Sequence, residues 1–370
     1  MNSSQQSTAK SSTLVALSED PFVRESSLTS LDTWITPTER FYVRNHFSEV
    51  PQLDIASWRL KVDGIVSHPL DLSFNDILAL PGRETVITLE CAGNSRSYLT
   101  PPAEGLGFGH GAVSTARWKG VSLATVLERA GVKDTAVEVV FRGADTGTEE
   151  EDGAVFATDL PYSRSLPLAT TLHPDTLLAY EMNGEPLTTG HGFPLRLVVP
   201  SWYGMASVKW LTHIQVADEP YEGFFQKLRY VFINEGVESN PERVPVTTLK
   251  VKSLITSPRH GEVIQRGPFT IGGFAWSGDG DLSKVEVSTD GGRSWQEASL
   301  VGEPNPNFWR QWELPWNASE PGHFIFMARA TDSAGNCQPR SAPWNFRGYA
   351  NNSIQTLAVE VPASRPTPSV

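Results

Sequence analysis

The sequence has little cysteine, no basic excess and no long apolar run, and each shortage excludes a class of protein. Its 370 residues include two cysteines, Cys91 and Cys337, so at most one disulfide can form and the fold cannot depend on a disulfide framework. The 30 Lys and Arg residues stand against 42 Asp and Glu, a net charge of −12. Binders of nucleic acid or anionic membranes need positive charge for phosphates, so we expect no nucleic-acid partner. No apolar run reaches the roughly 18 residues of a membrane span.

What the sequence does contain is enough apolar material for a large core. Hydrophobic residues make up 39% of the chain and 11 residues are Trp, which excludes an intrinsically disordered protein. At typical domain sizes this length predicts about two domains. The first residues, MNSSQQSTAKSST, carry one Lys and no apolar stretch, so we interpret 1–20 as a disordered, solvated tail rather than a secretory signal. The expected location is the cytoplasm, or the periplasm if a signal peptide has been removed.

Residues 21–245 mix predicted helices with predicted strands, the pattern of an α+β domain. LSFNDILAL has helical spacing with Ser73 as its N-cap, and VSLATVLERAGV is an amphipathic helix that ends at Gly131. TVITLEC is a β-branched run that predicts a strand ending at Cys91, and AVEVVF, FPLRLVVP and VKWLTHIQV predict buried strands. The acidic run TEEED at 148–152 is interpreted as a solvated loop.

Residues 246–360 follow a different pattern, with short predicted strands, closely spaced turn signals and no segment of helical period. DGG between VEVST and RSWQEA predicts a hairpin turn. We therefore predict a second domain that is an antiparallel β-sandwich of immunoglobulin-like type. Residues 361–370 are predicted to form a loose tail.

Cys91 is the first candidate for chemistry. It follows a predicted strand and precedes Ala-Gly-Asn, a turn rich in backbone N–H groups, with Arg96 five residues further on. Positive charge and oriented amides favour a thiolate, so this site predicts a lowered thiol pKa; a buried core cysteine is the competing interpretation. A thiol hydrolase needs a partner His that no spacing selects, and a zinc site needs a CxxC or HExxH motif, which the sequence lacks. One thiolate alone suits a cofactor that brings most of its own ligands.

Four longer motifs carry a resemblance to a known family: TLECAGNSRS, GAVSTARWKGVSL, LLAYEMNGEPL and HGFPLRLVVPSWYGMASVKWL. From FYVRNH to the last predicted strand, the chain resembles the sulfite oxidase family of molybdenum enzymes. The resemblance implies a mixed α/β molybdopterin domain over 21–245 and an immunoglobulin-like dimerisation domain over 246–360, hence a homodimer. It also implies that Cys91 is the only protein ligand of a molybdenum atom held by molybdopterin. A soft thiolate beside other sulfur donors is chemically sensible for that metal.

The same resemblance assigns residues to the cofactor and to the substrate. Those implied to contact molybdopterin or its phosphate are Arg44, Asn45, His46, Asp145, His191, Arg196, Ser207 and Lys209. Those implied to border the substrate are Arg44, Arg96, Arg347, Phe108 and Tyr230. Three arginines suit a small oxyanion, and Tyr230 is the candidate to hydrogen-bond the reacting oxygen. The chain departs from the family pattern at Phe108, where Trp is common, and at Arg229, where an acidic residue often precedes the tyrosine.

These features predict an enzyme, a molybdopterin-dependent sulfite oxidase or sulfite dehydrogenase. Nothing in the sequence resembles a cytochrome b5 domain or a flavin module. We therefore expect no heme or flavin in this chain and a separate electron acceptor, a cytochrome or oxygen. Two alternatives stay open: another oxo-transfer substrate on the same cofactor, such as nitrate or an S-oxide, and a cofactor-free interaction protein.

Overall fold

The computed structural model describes residues 14–151, 154–233 and 242–363. Of the tail predicted over 1–20, residues 1–13 lie outside the described residues, whereas Leu14–Ser18 form strand β1. β1 pairs antiparallel with β2, Val23–Ser26, so this part of the predicted tail belongs to a sheet because its backbone groups are paired. Of the tail predicted over 361–370, Val361 ends the last strand and residues 364–370 lie outside the described residues.

Two sheets make up most of the N-terminal domain. The strands described after β2 in this domain are β3, Val43–Arg44; β4, Arg59–Gly64; β5, Leu70–Ser73; β6, Gly82–Glu90; β7, Val113–Ser122; β8, Glu138–Glu151; β9, Ala154–Pro167; β10, Leu177–Met182; β11, Glu185–Pro186; β12, Arg196–Val198; β13, Leu211–Ala217; β14, Val231–Ile233; and β15, Arg243–Pro245. One sheet has the order β11-β10-β7-β6 with β12 beside β10, and the other has the order β5-β4-β13-β8-β9. Strands β4 and β13 pair in parallel and their neighbours are antiparallel, so the second sheet is mixed.

Strand β6 ends one residue before Cys91 and places it at the edge of the buried core. It pairs antiparallel with β7 along its whole length, and burial increases along the strand until Glu90 is buried. β-branched residues such as Val86 and Ile87 favour this extended backbone, which is why the strand was predictable. Cys91 follows at once and is partly buried.

The two longer helices carry the caps that the sequence predicts. Helix α1, Phe74–Leu78, begins after Ser73, whose side chain accepts from the Asp76 N–H while the Asp76 carboxylate accepts from the Ser73 backbone. Helix α2, Leu123–Ala130, ends at Gly131, which has a φ of +66° that glycine adopts without strain. The remaining described helical segments are short: α3, Leu168–Thr171, and single turns at Leu28–Ser30, Thr38–Arg40, Arg96–Tyr98, Thr189–His191, Gly204–Ala206 and Phe225–Arg229.

The C-terminal domain is an antiparallel β-domain, as predicted. Its strands are β16, Lys252–Ser257; β17, Gly267–Trp276; β18, Leu282–Ser288; β19, Gln296–Val301; β20, Arg310–Ala318; β21, Gly322–Asp332; and β22, Thr356–Val361. They pair in the order β16-β17-β20-β19-β18-β21-β22 and curl around one apolar core that contains Trp312 and Phe326. The predicted two layers are therefore joined by hydrogen bonds into a continuous, curled sheet. The α+β fold class is confirmed.

The two domains pack against each other beside β6. Trp276 and Trp309 of the C-terminal domain belong to the same apolar core as the N-terminal sheets. The Trp309 backbone N–H donates to the Thr88 hydroxyl at 2.8 Å, and its indole N–H donates to the Trp34 carbonyl at 2.9 Å. The interface between the two domains therefore includes β6, the strand that precedes Cys91.

The acidic run at 148–152 is not a solvated loop. Residues 148–151 belong to β8, which pairs with β9 in a long hairpin, and residues 152 and 153 lie outside the described residues. Glu149 points inward and is buried, whereas Glu150 is exposed. Because neighbouring residues of a strand face opposite sides, Glu149 can be buried while Glu150 is exposed, and the acidic composition of the run did not reveal this.

Among the described residues, no helix has both the length and the apolar character needed to cross a membrane.

Candidate active site

A cleft opens at the C-terminal end of β6, beside Cys91. Its walls come from the segment around β3, the turn after β6, the β8–β9 hairpin and the loops on either side of β12. The predicted site residues that line it are Arg44, His46, Cys91, Asp145, His191, Arg196, Ser207, Lys209 and Tyr230. The fold therefore gathers side chains from separate segments of the chain into one site.

Cys91 is partly buried, and its thiol shares the cleft with the guanidinium group of Arg44. Burial raises the pKa of the Cys91 thiol, although Arg44, the Gly93 backbone N–H and Arg96 lower it. The prediction of a lowered pKa is therefore wrong for the protein alone, because lost hydration outweighs the nearby positive charge. A metal ion at the sulfur would supply the charge that a thiolate needs.

The cleft is cationic within a protein of net charge −12. Arg44, Arg196 and Lys209 line it, and Asp145 is the only carboxylate among its described lining residues. Burial lowers the pKa of Lys209 and the charge of Arg196 lowers it further, while Asp145 raises it. Burial raises the pKa of Asp145 to about 6, against the effect of Lys209. A bound anion would relieve the repulsion between these cations.

Lys209 is held on one side of the cleft by three contacts. Its Nζ donates to Oδ1 of Asn45 and, at 3.0 Å, to the Gly190 carbonyl. The same ammonium lies 4.2 Å from the ring centroid of Trp210. Asn45 is buried behind the cleft lining, so it orients Lys209 from outside the cavity. Because an ammonium has three donors, one remains for a ligand.

Arg196 places a permanent charge in the floor of the site. Its Nη1 donates to the His191 carbonyl and its Nη2 to the Ser207 carbonyl, both at 3.0 Å. The guanidinium lies 5.1 Å from the ring centroid of Trp118. Burial lowers the pKa of Arg196 to about 10, so the group stays charged at neutral pH.

Two buried polar atoms of the cleft have no hydrogen-bond partner among the described residues: Oδ1 of Asp145 and Nε2 of His191. Burial lowers the pKa of His191 to about 3, so its ring is neutral, and its Nδ1 lies 2.7 Å from the Thr188 hydroxyl. A buried polar atom that lacks a hydrogen-bond partner destabilises the folded protein by about 1–3 kcal/mol. A ligand with amide, ring-nitrogen and phosphate groups would supply the missing hydrogen bonds and remove this penalty. The donors, acceptors and cations of the cleft therefore fit molybdopterin.

Tyr230 connects the cleft to a buried acid–base pair. Its hydroxyl lies 3.3 Å from Nδ1 of His46, whose Nε2 is hydrogen bonded to the Glu149 carboxylate. Burial lowers the pKa of His46 to about 4, although the hydrogen bond to Glu149 raises it. Burial also raises the pKa of Glu149, but His46, Arg229 and Arg44 together bring it below its usual value. At neutral pH the pair is a neutral imidazole on a carboxylate.

Arg96 and Arg347 meet around Tyr349 rather than in the cleft lining. Nε of Arg96 donates to the Arg347 carbonyl at 2.7 Å, and its guanidinium lies 5.2 Å from the Tyr349 ring centroid. The rings of Tyr349 and Tyr230 pack with their centroids 5.4 Å apart. Burial raises the pKa of Tyr349, whereas the charges of Arg96, Arg229 and Arg347 lower it. A cationic group next to Tyr230 thus includes residues of both domains.

Phe108 lies apart from the cleft. It is 1% exposed in an apolar cluster with Phe41 and Trp118, against which Cys91 also packs. Its carbonyl accepts from the Ser97 backbone at 3.1 Å and from the Ser97 hydroxyl at 2.9 Å. Phe108 thus supports the segment after Cys91, and its role in substrate recognition stays a prediction.

Tyr349, Trp210 and Glu149 are among the residues of the site that sequence reasoning missed. Tyr349 stands two residues after Arg347 and Trp210 directly after Lys209, so both lie within motifs that the sequence had already singled out. Glu149 gave no such signal, because an acidic run is typical of a protein surface.

The two halves of the chain match two family models. Residues 46–225 match the oxidoreductase molybdopterin binding domain, and residues 243–361 match the Mo-co oxidoreductase dimerisation domain. The first match contains the cleft apart from part of its β3 wall and Tyr230, and the second contains the curled β-domain. The fold and the site together define a molybdopterin-dependent oxidoreductase.

Known proteins are similar along most of the chain. It is 39% identical to the mitochondrial sulfite oxidase of Mus musculus, over 89% of this chain and 62% of that protein. It is 35% identical to the sulfite oxidase of Arabidopsis thaliana, over 90% of this chain and 91% of that protein. The crystal structure of the sulfane dehydrogenase SoxCD from Paracoccus pantotrophus matches with a TM-score of 0.79 at 30% identity, covering 93% of this chain and 85% of that one. The chain belongs to the sulfite oxidase family.

Proposed function

We propose that this protein oxidises sulfite to sulfate at a molybdopterin-bound molybdenum whose protein ligand is Cys91, and passes the electrons to a separate acceptor, a cytochrome or oxygen. The observation that carries this proposal is the cationic cleft. It places a thiol, three cations and two buried polar atoms without hydrogen-bond partners among the described residues together in an acidic protein. Similarity to sulfite oxidases supports the choice of substrate.

The cofactor would be held by groups that line the cleft together. Lys209 and Arg196 provide the positive charge for a phosphate, and Asp145 and His191 provide an acceptor and a donor for the pterin ring. When bound, the cofactor supplies the transferable oxo group and the two-electron couple of molybdenum, with the Cys91 thiolate as a soft ligand. Ser207 acts through its carbonyl, which orients Arg196.

The substrate would be held by the arginines beside this site. Arg44 lines the cleft, and Arg96 and Arg347 approach it from the side of Tyr349. Their guanidinium groups offset the charge of a small oxyanion and pair with its oxygens. The Tyr230 hydroxyl hydrogen-bonds an oxygen of the anion and passes protons to Nδ1 of His46.

The reaction balances as sulfite and water giving sulfate, two protons and two electrons. The electrons leave to the acceptor, and the protons leave the cleft through its polar groups. The imidazole of His46, neutral at neutral pH, lines the cleft and is within hydrogen-bonding distance of the Tyr230 hydroxyl, so it is the base that we assign to Tyr230.

The proposal is tested with protein purified from cells that make molybdopterin. We expect molybdenum in the protein and sulfite-dependent reduction of ferricyanide, and we expect Cys91→Ser to reduce turnover to the background of the assay, since a harder oxygen ligand changes the chemistry of the metal. Cys337→Ser is the matched control, because Cys337 is an exposed thiol in the other domain. Sulfite turnover by Cys91→Ser at the wild-type rate contradicts the assignment. Reduction of nitrate instead of sulfite oxidation identifies the other oxo-transfer substrate.

We further propose that the protein is a homodimer assembled through its C-terminal domain. The match of residues 243–361 to a dimerisation domain supports this assembly. Light scattering at micromolar concentration is expected to give twice the 40.6 kDa mass of the chain. A monomeric mass under these conditions contradicts the proposal.

A further inference from the structure

A buried ion pair joins the two domains one residue before Cys91. Nζ of Lys252 lies 3.0 Å from Oε1 of Glu90, and the two side chains are 1% and 2% exposed. Lys252 opens β16 of the C-terminal domain, whereas Glu90 ends β6. Strong buried charge therefore stands directly behind the proposed metal ligand.

Every polar atom of this pair has hydrogen-bond partners. Nζ of Lys252 also donates to the Ser95 hydroxyl at 2.8 Å and to the Asn351 carbonyl at 2.9 Å. Oε1 of Glu90 accepts from Nδ2 of Asn94 at 2.9 Å, and Oε2 accepts from the indole N–H of Trp276 at 2.9 Å. A fully satisfied network of this kind specifies one arrangement of its members.

The same network holds the turn that carries Cys91. Asn94 and Ser95 belong to this turn, and Ser95 has a φ of +70°, a left-handed backbone conformation that a serine rarely adopts. The Ser95 carbonyl accepts from Nδ2 of Asn351 at 2.7 Å, and the Ala92 carbonyl accepts from the Ala350 backbone at 2.8 Å. The C-terminal domain thus fixes the conformation after Cys91 by hydrogen bonds to the carbonyls of Ala92 and Ser95.

The charge of Glu90 gives Lys252 a second effect. A carboxylate one residue from Cys91 repels a thiolate, and in a buried site this repulsion is weakly screened. The ammonium of Lys252 offsets that charge at a distance of 3.0 Å. Without it, a buried carboxylate would lose its counter-charge beside the metal ligand, which is the costly way to break a buried pair.

We propose that Lys252 of the C-terminal domain is a positioning residue for the Cys91 thiol: paired with Glu90, it locks the turn at 91–96 in the geometry that presents the sulfur to the metal. The inference rests on the proposed function for the identity of the metal, but the lock itself is a property of the chain. The C-terminal domain then has a role beyond dimerisation, since it completes the site from behind.

The lock is tested first in protein without cofactor, where the readout is the rate constant for alkylation of the Cys91 thiolate by iodoacetamide, obtained from the pH dependence of the rate so that a change in thiol pKa is separated from release of the turn. A Cys337→Ser background leaves Cys91 as the single thiol. The double variant Glu90→Gln, Lys252→Met keeps the volume of both side chains and removes both charges, so it avoids an unpaired buried charge. We expect its alkylation rate to rise about tenfold. The double variant loses stabilising free energy equal to that of about one charged hydrogen bond, so the turn exposes the Cys91 thiol more often.

Two controls separate release of the turn from general effects. Lys284→Met makes the same substitution at a half-exposed lysine of β18, in the same domain. Val287→Ala removes buried apolar volume in the C-terminal core and destabilises the domain without touching the network. We expect both controls to alkylate within about twofold of the parent. An equally small change in the double variant, or an equally large change in Val287→Ala, overturns the proposal.

In cofactor-loaded protein, the second readout is the visible thiolate-to-metal charge-transfer band, whose position depends on the geometry at the sulfur. We expect this band to shift in the double variant and to stay in place in Lys284→Met. An unchanged band overturns the positioning role. If wild-type protein fails to oxidise sulfite, the proposed function fails, whereas the alkylation result in the protein without cofactor still decides the lock.

Discussion

The Tyr230 hydroxyl lies 3.3 Å from Nδ1 of His46, and Nε2 of the same ring is hydrogen bonded to Glu149. Because an ionised carboxylate only accepts, Nε2 carries the proton and Nδ1 accepts from the tyrosine. The imidazole is neutral at neutral pH, since burial lowers the pKa of His46 to about 4. A side chain of the reaction cleft is thereby connected to a buried acid on the β8–β9 hairpin.

The first prediction concerns Glu149→Gln. We expect kcat to fall about tenfold with KM little changed, because the neutral amide orients His46 less strongly and does not touch the substrate. The acid limb of the kcat profile should also move to lower pH, since Glu149 raises the pKa of His46 and its charge is lost. The measurement is steady-state sulfite oxidation from pH 3 to pH 9 at equal molybdenum content, a range that includes the pKa of His46 near 4.

Glu150→Gln is the matched control, because Glu150 is the exposed neighbour on the same strand. It removes the same charge from the same hairpin and should leave the kcat profile unchanged. Equal kcat values and equal acid limbs in Glu149→Gln and wild type would remove the buried carboxylate from the proton path.

The second prediction concerns retention of the cofactor. Lys209→Met removes one of the two cations that we assign to the phosphate, and a charge-assisted contact is worth about 1.5–3 kcal/mol. We expect pterin binding to weaken on the order of ten- to a hundredfold, so that prolonged dialysis strips the variant but not wild type. Pterin released per mole of chain, quantified by mass spectrometry, is the readout.

The control for this prediction is Lys61→Met, at an exposed lysine of β4. It should retain as much pterin as wild type. A Lys209→Met protein with full pterin content after dialysis would assign the phosphate to other residues.

Local features of the fold could be predicted from the sequence because their causes are local. Ser73 caps α1 through contacts within three residues, and Gly131 ends α2 through its own φ. The strand before Cys91 follows from the β-branched residues of that segment. None of these features depends on distant parts of the chain.

The features that could not be predicted depend on contacts across the chain. Glu149 is buried because it meets His46, 103 residues earlier, and Glu90 is paired with Lys252, 162 residues later. The pKa of Cys91 was predicted in the wrong direction because Arg96 is visible in the sequence, whereas the burial that outweighs it is not. Composition and spacing carry no information on such pairings.

The third prediction concerns acid sensitivity and uses His110, which lies outside the cleft. Burial lowers the pKa of His110 to about 3, with a further contribution from Lys252, so the unfolded chain binds its proton more readily than the folded one. The contribution of His110 to the free energy of unfolding is fully present above about pH 6.5. It falls by about 1.4 kcal/mol per pH unit between there and pH 3. We expect the stability of His110→Gln to fall less steeply with decreasing pH, by about that amount per unit.

Urea unfolding of the protein without cofactor, at intervals between pH 4 and pH 7, measures this slope. His173→Gln, at an exposed position, controls for the loss of an imidazole. Parallel stability curves for His110→Gln and wild type contradict the prediction.

The last prediction concerns Arg347, the residue of the C-terminal domain that we propose binds the substrate. Its carbonyl accepts from Arg96 and its charge reaches Tyr349, which packs on Tyr230. If its guanidinium also pairs with a sulfite oxygen, the contact is worth about 1.5–3 kcal/mol, and Arg347→Met should lower kcat/KM on the order of ten- to a hundredfold. The loss should appear mostly in KM, since the contact is made in the ground state and in the transition state.

Molybdenum content should stay at the wild-type value, because Cys91, Arg196 and Lys209 are unchanged. Arg340→Met, at an exposed arginine of the same domain, should match wild type at equal metal loading. A kcat/KM for Arg347→Met within about twofold of wild type would leave anion binding to Arg44 and Arg96.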